Sequence, residues 1–137
     1  MYVCVKRRKI KSDQEMKYLF SLFFIILVSC SANEKMNISK LGNQEFSTEA
    51  WLNSNQEDRG KMVNSFLQMY NVQEMNTQEI YDLLGDSTAY YEYDEFPAYF
   101  VGPKSVESVY GKGYVLAFPI DRKTGKIRKF VIEPHIE

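Results

Sequence analysis

Ser87 and His135 are the residues of this 137-residue chain that most directly suggest nucleophilic catalysis. Ser87 follows Gly85-Asp86 in a polar stretch, and His135 is the only histidine. A serine nucleophile needs a base within about 3 Å, usually a histidine oriented by an acid. His135 stands near the end of the chain, and the residue three positions before it is Ile132 rather than an acid. The pattern therefore favours a polar turn, and no catalytic residue is predicted.

Metal chemistry is suggested by three carboxylates within four residues, those of Glu92, Asp94 and Glu95. Such oxygen-rich segments suit calcium. These acids lack the D-x-[DN]-x-[DN]-G spacing that folds a loop around the ion, which favours a solvated acidic segment instead. His135 has no second histidine with which to build a zinc site. The sequence therefore predicts no metal site and no cofactor.

Cys30 directly follows an uncharged, mostly apolar run over residues 18–29, which is itself preceded by Lys17. Spanning a bilayer as a helix takes about 20 residues, whereas the apolar region of an export signal has about 7 to 15. The run therefore predicts a signal peptide over residues 1–29, with Met16 as an alternative start. A buried core helix is the alternative, although the run has no polar face. Cys4 would be removed with the signal, so no disulfide is expected in the mature chain.

The residues Leu27-Val28-Ser29-Cys30 resemble the lipobox of bacterial lipoproteins, in which an aliphatic residue, a second residue and a small residue precede cysteine. The resemblance implies cleavage before Cys30, diacylglycerol on its thiol and a further fatty acyl chain on the new amino terminus. Two or more acyl chains are what stable membrane anchoring takes. Ser31 implies transfer to the outer membrane, facing the periplasm, rather than retention at the inner membrane. Residues 30–45 are mostly polar after the cysteine and predict a flexible tether.

The charge of the chain is divided unevenly along its length. The 17 Lys and Arg residues nearly balance 18 Asp and Glu residues, but only 11 of those bases and 16 of those acids follow Ser29. The part beyond the signal thus has a net charge of about −5. Nucleic-acid binding requires a basic footprint that displaces counterions from phosphate, so it is not expected.

Capping residues predict three helices in the first half of the domain. Ser47 and Asn55 are suited to begin two of them, and Asn76 with Glu79 three positions later forms a capping-box pattern. Gly85 is suited to end the third helix in a left-handed conformation. The second helix has an apolar stripe at helical spacing that is expected in the core, made of Met62, Val63, Phe66, Leu67 and Tyr70.

The second half of the domain predicts strands. One β-strand is expected around Tyr91 and Tyr93, and another at residues 99–101. Residues 114–120 and 127–132 are predicted to form a hairpin around a turn with Gly125 in a left-handed conformation. The order predicts an α+β domain over residues 46–137, with two or three short helices packed on a small antiparallel sheet.

The segment from Asn76 to Gly85, the stretch Tyr99-Phe100-Val101-Gly102 and the hairpin over 114–132 are similar to the domain of the SmpA/OmlA outer-membrane-assembly lipoproteins and of β-lactamase-inhibitor-like proteins. The similarity covers about residues 59–132. It implies a helix–helix–sheet fold and a role in outer-membrane assembly or maintenance. This chain has Glu74-Met75 where the family usually has glycine before the second helix, and Asp86-Ser87-Thr88 where proline follows.

Six aromatic residues lie within eleven positions between Tyr90 and Phe100, interleaved with acids. Strand alternation does not bury all of them on one side of a sheet. Exposed aromatic rings beside a charged rim are typical of protein-recognition surfaces, and the alternative is that the rings fill the core. The candidate partner-binding residues are Tyr90, Tyr91, Tyr93, Phe96 and Tyr99.

The sequence thus predicts a membrane-anchored envelope lipoprotein that acts as a non-enzymatic protein-interaction module, with the lipid membrane and another envelope protein as partners. Two alternatives remain. One is an inhibitor that inserts the 86–102 loop into a periplasmic or secreted enzyme. The other is a small envelope hydrolase that uses Ser87.

Overall fold

The computed structural model describes residues 36–92 and 96–137. Three α-helices come first: α1 (Thr48–Leu52), α2 (Gln56–Met69) and α3 (Thr77–Leu84). Short 3₁₀ helices, Ile38–Leu41 and Val72–Glu74, precede α1 and α3. Five strands follow: β1 (Ala98–Val101), β2 (Glu107–Ser108), β3 (Gly111–Lys112), β4 (Tyr114–Ala117) and β5 (Val131–Glu133). This order confirms a small α+β fold.

The three helices begin at the predicted capping residues. The Ser47 hydroxyl accepts a hydrogen bond from the Ala50 N–H, and the Asn55 side chain accepts one from the Asp58 N–H. Asn76 and Glu79 form a complete capping box, in which each side chain accepts from the other residue's backbone N–H. Each cap satisfies N–H groups that have no partner inside the helix.

The main sheet is antiparallel and has the strand order β1-β4-β5. Ala98 pairs with Ala117 across β1 and β4, and Leu116 pairs with Ile132 across β4 and β5. The strands of the predicted hairpin are shorter than expected. Beyond Ala117, the two segments of the hairpin pair through the isolated bridge between Ile120 and Ile127. Gly125 has the predicted positive φ, 71°. Tyr91 does not lie in a strand, contrary to the expectation, and Tyr93 lies outside the described residues.

The main core lies between the helices and one face of this sheet. Strand alternation directs Tyr99 and Val101 of β1, with Leu116 and Ile132 of the neighbouring strands, towards the helices. The stripe of α2 is confirmed as core, with Met62, Val63 and Phe66 fully buried. Gly60 lets α2 approach the end of β1, since a Cβ atom there would lie 2.6 Å from the backbone nitrogen of Gly102.

Two aromatic side chains bind the carbonyl groups at the end of α3. The Trp51 indole N–H donates to the Leu84 carbonyl at 3.0 Å, and the Tyr99 hydroxyl donates to the Gly85 carbonyl at 2.7 Å. Gly85 ends the helix at φ 74° and ψ −167°, a conformation that is essentially confined to glycine. The carbonyls at a helix end lack intrahelical partners, so these two bonds join α1, α3 and the sheet.

Residues 36–45 are packed on the domain, which corrects the predicted start of the domain at Phe46. The 3₁₀ helix Ile38–Leu41 lies against α2, and Met36, Ile38 and Leu41 pack on the main core. The Gln44 N–H donates to the Lys61 carbonyl, which continues the attachment along α2. The compact unit runs from Met36 to Glu137. The three apolar side chains attach this otherwise polar stretch to the main core.

The predicted signal peptide and the candidate lipidation residue Cys30 lie outside the described residues. Within the ranges 36–92 and 96–137, no helix has the length and apolar character needed to cross a bilayer.

Candidate protein-interaction face

The sheet has a second face, directed away from the helices. Alternation along the strands places Ala98 and Phe100 of β1 on this face, opposite Ala117 and Val115 of β4. The small side chains at the centre of this face leave room for rings to lie over it. Ala89, Ala98, Val115 and Ala117 form a second, smaller buried cluster, against which three aromatic residues pack: Tyr91, Phe100 and Tyr110.

Residues 87–89 cover the free edge of β1. The hydroxyls of Ser87 and Thr88 accept hydrogen bonds from the backbone N–H groups of Ala98 and Phe100, at 3.1 and 3.0 Å. The N–H groups of Thr88 and Ala89 donate back to the Ala98 carbonyl. Edge strands expose unpaired backbone groups, and here side-chain hydroxyls satisfy them. This placement gives Ser87 a structural role at the sheet edge.

We define the aromatic face as Tyr91, Phe96, Phe100 and Tyr110. Tyr91 is the central ring, with centroids 5.7 Å from Tyr110 and 6.5 Å from Phe96. All four side chains are half-buried, so each ring keeps one part against the protein and another open to solvent. Aromatic pairs at these separations add to packing stability and hold the rings in place. The face is therefore an ordered apolar surface.

Acidic groups surround the central ring. Burial raises the pKa of Tyr91, and the negative charges of Glu92 and Glu133 raise it further, while Arg128 opposes them. The Tyr91 phenol is therefore neutral at physiological pH and is available as a hydrogen-bond donor and acceptor. Glu107 is a further exposed acid and lines an open depression of about 450 Å³ with Tyr110 and Glu133. Three acids, Glu92, Glu107 and Glu133, thus border the aromatic face, with Arg128 as a base among them and Lys112 paired opposite Glu107.

The β2–β3 hairpin projects an aliphatic residue beside the aromatic face. Its two-residue turn is Val109-Tyr110, and Val109 is 94% exposed. The Ser108 hydroxyl donates to the Gly111 carbonyl at 3.1 Å and accepts from the Tyr110 N–H at 3.2 Å, which fixes the turn. Val109 also lines the depression beside Tyr110. An isolated valine at a fixed turn is thus presented directly to solvent.

The structure separates the five candidate partner-binding residues. Tyr90 is 65% exposed, and Tyr91 and Phe96 belong to the aromatic face. Tyr93 lies outside the described residues. The expectation for Tyr99 is wrong: its side chain is fully buried in the main core, because the alternation of β1 directs it towards the helices.

Sequence reasoning missed Phe100, Tyr110 and Val109 as members of this surface. Strand alternation places Phe100 and Tyr99 on opposite faces, but it does not show which of the two faces outward. Tyr110 and Val109 are brought beside it by the hairpin, which no local pattern indicates.

His135 lies apart from this surface, in an open cleft of about 480 Å³. The cleft also contains Lys40, Glu57, Lys61 and Glu137, and Ser87 is not among its lining residues. Within residues 36–92 and 96–137, no three histidine, cysteine or acidic side chains cluster in a way that holds a metal. Asp94 and Glu95 of the acidic triplet lie outside these ranges.

Comparison of the chain with models of protein families, with curated proteins and with solved structures gives no match. The similarities to the lipobox and to the SmpA/OmlA domain therefore stay predictions from the sequence.

Proposed function

We propose that this chain is an envelope lipoprotein, anchored through Cys30, whose domain binds another envelope protein through the aromatic face. The observation that carries the binding proposal is Val109, 94% exposed at a hydrogen-bonded turn beside half-buried rings. A single exposed valine is common on protein surfaces, but Val109 adjoins the half-buried ring of Tyr110 and so extends the apolar surface of the aromatic face. A partner that covers Val109 would gain the free energy of burying an apolar side chain.

A protein partner fits this surface better than a small molecule does. Small-molecule sites are concave and bury most of the ligand, whereas the depression beside Tyr110 is open and flanked by a projecting turn. Protein interfaces combine an apolar centre rich in aromatic residues with a polar rim. The aromatic face with its acids Glu92, Glu107 and Glu133 has this composition.

The chemistry of the face indicates the kind of protein that it recognises. Because three acids border the face, we infer that the partner has an apolar contact patch bordered by Lys or Arg residues. A role in outer-membrane assembly or maintenance rests on the sequence resemblance alone. No enzymatic activity is proposed, since the Ser87 hydroxyl is engaged at the sheet edge.

The anchor is supported by the sequence around Cys30, and a labelling experiment tests it. Full-length protein should incorporate labelled fatty acid in bacterial cells, and Cys30→Ser should abolish the label and leave the signal peptide uncleaved. Cys4→Ser is the matched control and should label normally. Incorporation of label into Cys30→Ser would refute the anchor while leaving the binding proposal open.

The binding proposal is tested by placing a charge at Val109. Val109→Asp puts a carboxylate at the turn beside the aromatic face, and Met69→Asp is the control, because Met69 is 54% exposed in α2. Both exposed sites should change stability by about 0.5 kcal/mol or less. After chemical crosslinking of intact cells, Val109→Asp should lose the higher-mass complexes that wild type and Met69→Asp retain. Equal retention by both variants would contradict the proposal.

Inhibition of an enzyme is a second candidate, and the same hairpin favours it. The 86–102 loop was the predicted inserting segment, but its residues 87–89 are held on the edge of β1. The Val109 turn projects instead, in the manner of a loop that enters a cleft. Stoichiometric inhibition of a co-purified hydrolase, lost in Val109→Asp and retained in Met69→Asp, would identify this function.

A further inference from the structure

The loop that joins β4 to β5 concentrates positive charge in a domain that is acidic as a whole. Residues 121–129, which we call the basic loop, contain one acid, Asp121, and five bases. All five basic side chains are exposed: Arg122, Lys123, Lys126, Arg128 and Lys129. The formal charge of this nine-residue segment is about +4, while residues 36–137 as a whole carry about −5.

The fold holds the basic loop in a defined shape. The Asp121 carboxylate accepts a hydrogen bond from the Lys123 N–H at 2.8 Å, and the Asp121 N–H donates to the Lys126 carbonyl. Beyond the turn, the Ile127 N–H donates to the Met75 carbonyl, which fixes the loop beside the start of α3. The acid of the loop is therefore used in the turn, and the basic side chains are directed outward.

Four of these five cations form no ion pair within the described part of the domain. The side chains of Lys123, Lys126, Arg128 and Lys129 have no ion-pair partner among residues 36–92 and 96–137. By contrast, Lys61 pairs with Asp58 at 2.7 Å. A cluster of unpaired like charges is self-repulsive, so an external negative charge would stabilise it.

The basic loop differs in composition from a protein-binding surface. Residues 122–126 contain no apolar side chain larger than threonine. The centre of a protein interface is depleted in charge and enriched in aromatic residues, which describes the aromatic face rather than this turn. A projecting turn of long cationic side chains instead suits a broad surface of diffuse negative charge. Clusters of Lys and Arg of this size bind the headgroups of anionic lipids.

We propose that the basic loop binds the surface of an anionic phospholipid bilayer. The attraction is electrostatic and needs no inserted apolar group. The basic loop lies at the end of the main sheet where β4 finishes. The N-terminal 3₁₀ helix packs at the opposite end of the sheet, where Leu41 lies beside Gly102. The proposal concerns the folded domain itself and does not depend on acylation of Cys30 or on a partner at the aromatic face.

The test uses residues 36–137, which contain the whole of the described core, and vesicles of stated composition. The domain should co-sediment with vesicles of phosphatidylglycerol and phosphatidylcholine at low salt and not with phosphatidylcholine alone. Raising the salt from 0.1 to 1 M shortens the Debye length from about 10 to about 3 Å and should release it. Vesicle binding that persists in high salt would contradict an electrostatic site.

A pair of charge-matched variants locates the site. Each Lys or Arg near an anionic surface is worth about fivefold in affinity, so K123Q/K126Q should bind at least about tenfold more weakly. The control K104Q/K112Q removes the same charge from exposed lysines near the β2–β3 hairpin and should change binding by less than about threefold. Melting temperatures establish that both variants fold.

The proposal is overturned if the two double variants lose equal affinity, because charge alone and not its position would then matter. It is also overturned if anionic vesicles do not bind. Binding to soluble polyglutamate in preference to vesicles would assign the basic loop to an acidic protein partner instead.

Discussion

Replacement of Tyr99 by phenylalanine removes one hydroxyl and keeps the ring. The wild-type hydroxyl donates to the Gly85 carbonyl at 2.7 Å, and the ring packs edge-on against Trp51 with centroids 6.0 Å apart. Phenylalanine preserves the ring contacts, so the measured effect isolates the hydrogen bond. Gly85 is the residue at which α3 ends. Because Tyr99→Phe leaves the Gly85 carbonyl without its hydrogen-bond donor, the substitution should weaken the junction between α3 and the sheet.

The expected cost of Tyr99→Phe is about 1 kcal/mol in the free energy of unfolding, the usual net value of one such bond. For a domain of this size, that corresponds to a fall of about 4 to 8 °C in melting temperature. Tyr90→Phe is the matched control, because Tyr90 is 65% exposed and its hydroxyl should contribute about 0.5 kcal/mol or less.

The cost of Tyr99→Phe should also depend on pH. Burial raises the pKa of Tyr99, with smaller contributions in the same direction from the charges of Tyr81 and Asp86. In the unfolded chain the phenol titrates near pH 10, so above that pH the unfolded state releases a proton that the folded state retains. Titration of the Tyr99 phenol then lowers the free energy of unfolding of the wild type by about 1.4 kcal/mol per pH unit. Tyr99→Phe has no phenol at this position and does not undergo this decrease. The stability difference should therefore disappear near about pH 11.

Urea unfolding at neutral pH and at several values between pH 9 and 11 measures both effects on the 36–137 domain. The other tyrosines titrate in both proteins and cancel in the difference. A difference that is absent at neutral pH would refute the hydrogen bond, and one that is independent of pH would refute the burial of the phenol.

Four further variants test contacts of the fold by thermal melting. Gly60→Ala should destabilise the domain by about 2 kcal/mol or more, because its Cβ would overlap the backbone of Gly102 at 2.6 Å; a gain of about 1 kcal/mol, the usual effect in a helix interior, would contradict this. Gly85→Val should cost about 1 to 3 kcal/mol, since valine does not tolerate φ 74° with ψ −167°; an unchanged melting temperature would mean that α3 ends elsewhere. Ser87→Ala and Thr88→Val should each cost about 1 kcal/mol through loss of one hydrogen bond to β1; no effect in either would show that the strand edge does not need them.

The helix starts could be predicted from the sequence because each depends on local chemistry. Ser47, Asn55 and Asn76 accept hydrogen bonds from N–H groups within three residues, so the sequence contains both partners. The order of helices and strands, which defines the α+β class, follows from the same kind of local pattern. Gly125 was predictable for a similar reason, since a tight turn needs a residue that accepts positive φ.

The division of aromatic residues between core and surface was not predictable, because it depends on the phase of a strand. The sequence Ala98-Tyr99-Phe100-Val101 is apolar at every position, so no polar side chain marks the outward direction. The pairing of β1 with β4 decides it, and the partner residues lie about 16 positions away along the chain. Docking of residues 36–45 was missed for a related reason: a polar composition hides three apolar contacts that form only when α2 is present.

The most direct test of the proposed binding function is site-specific photocrosslinking in intact cells that produce the full-length chain. A photoreactive residue is placed at Val109 in one variant and at Met69, which is 54% exposed in α2, in another, and the crosslinked yield is compared at equal expression. We expect a discrete adduct with one envelope protein from Val109, reduced when Tyr110 is also changed to alanine, and none from Met69. Equal yields from the two positions, or no adduct from Val109, would contradict the assignment of the aromatic face as the binding surface.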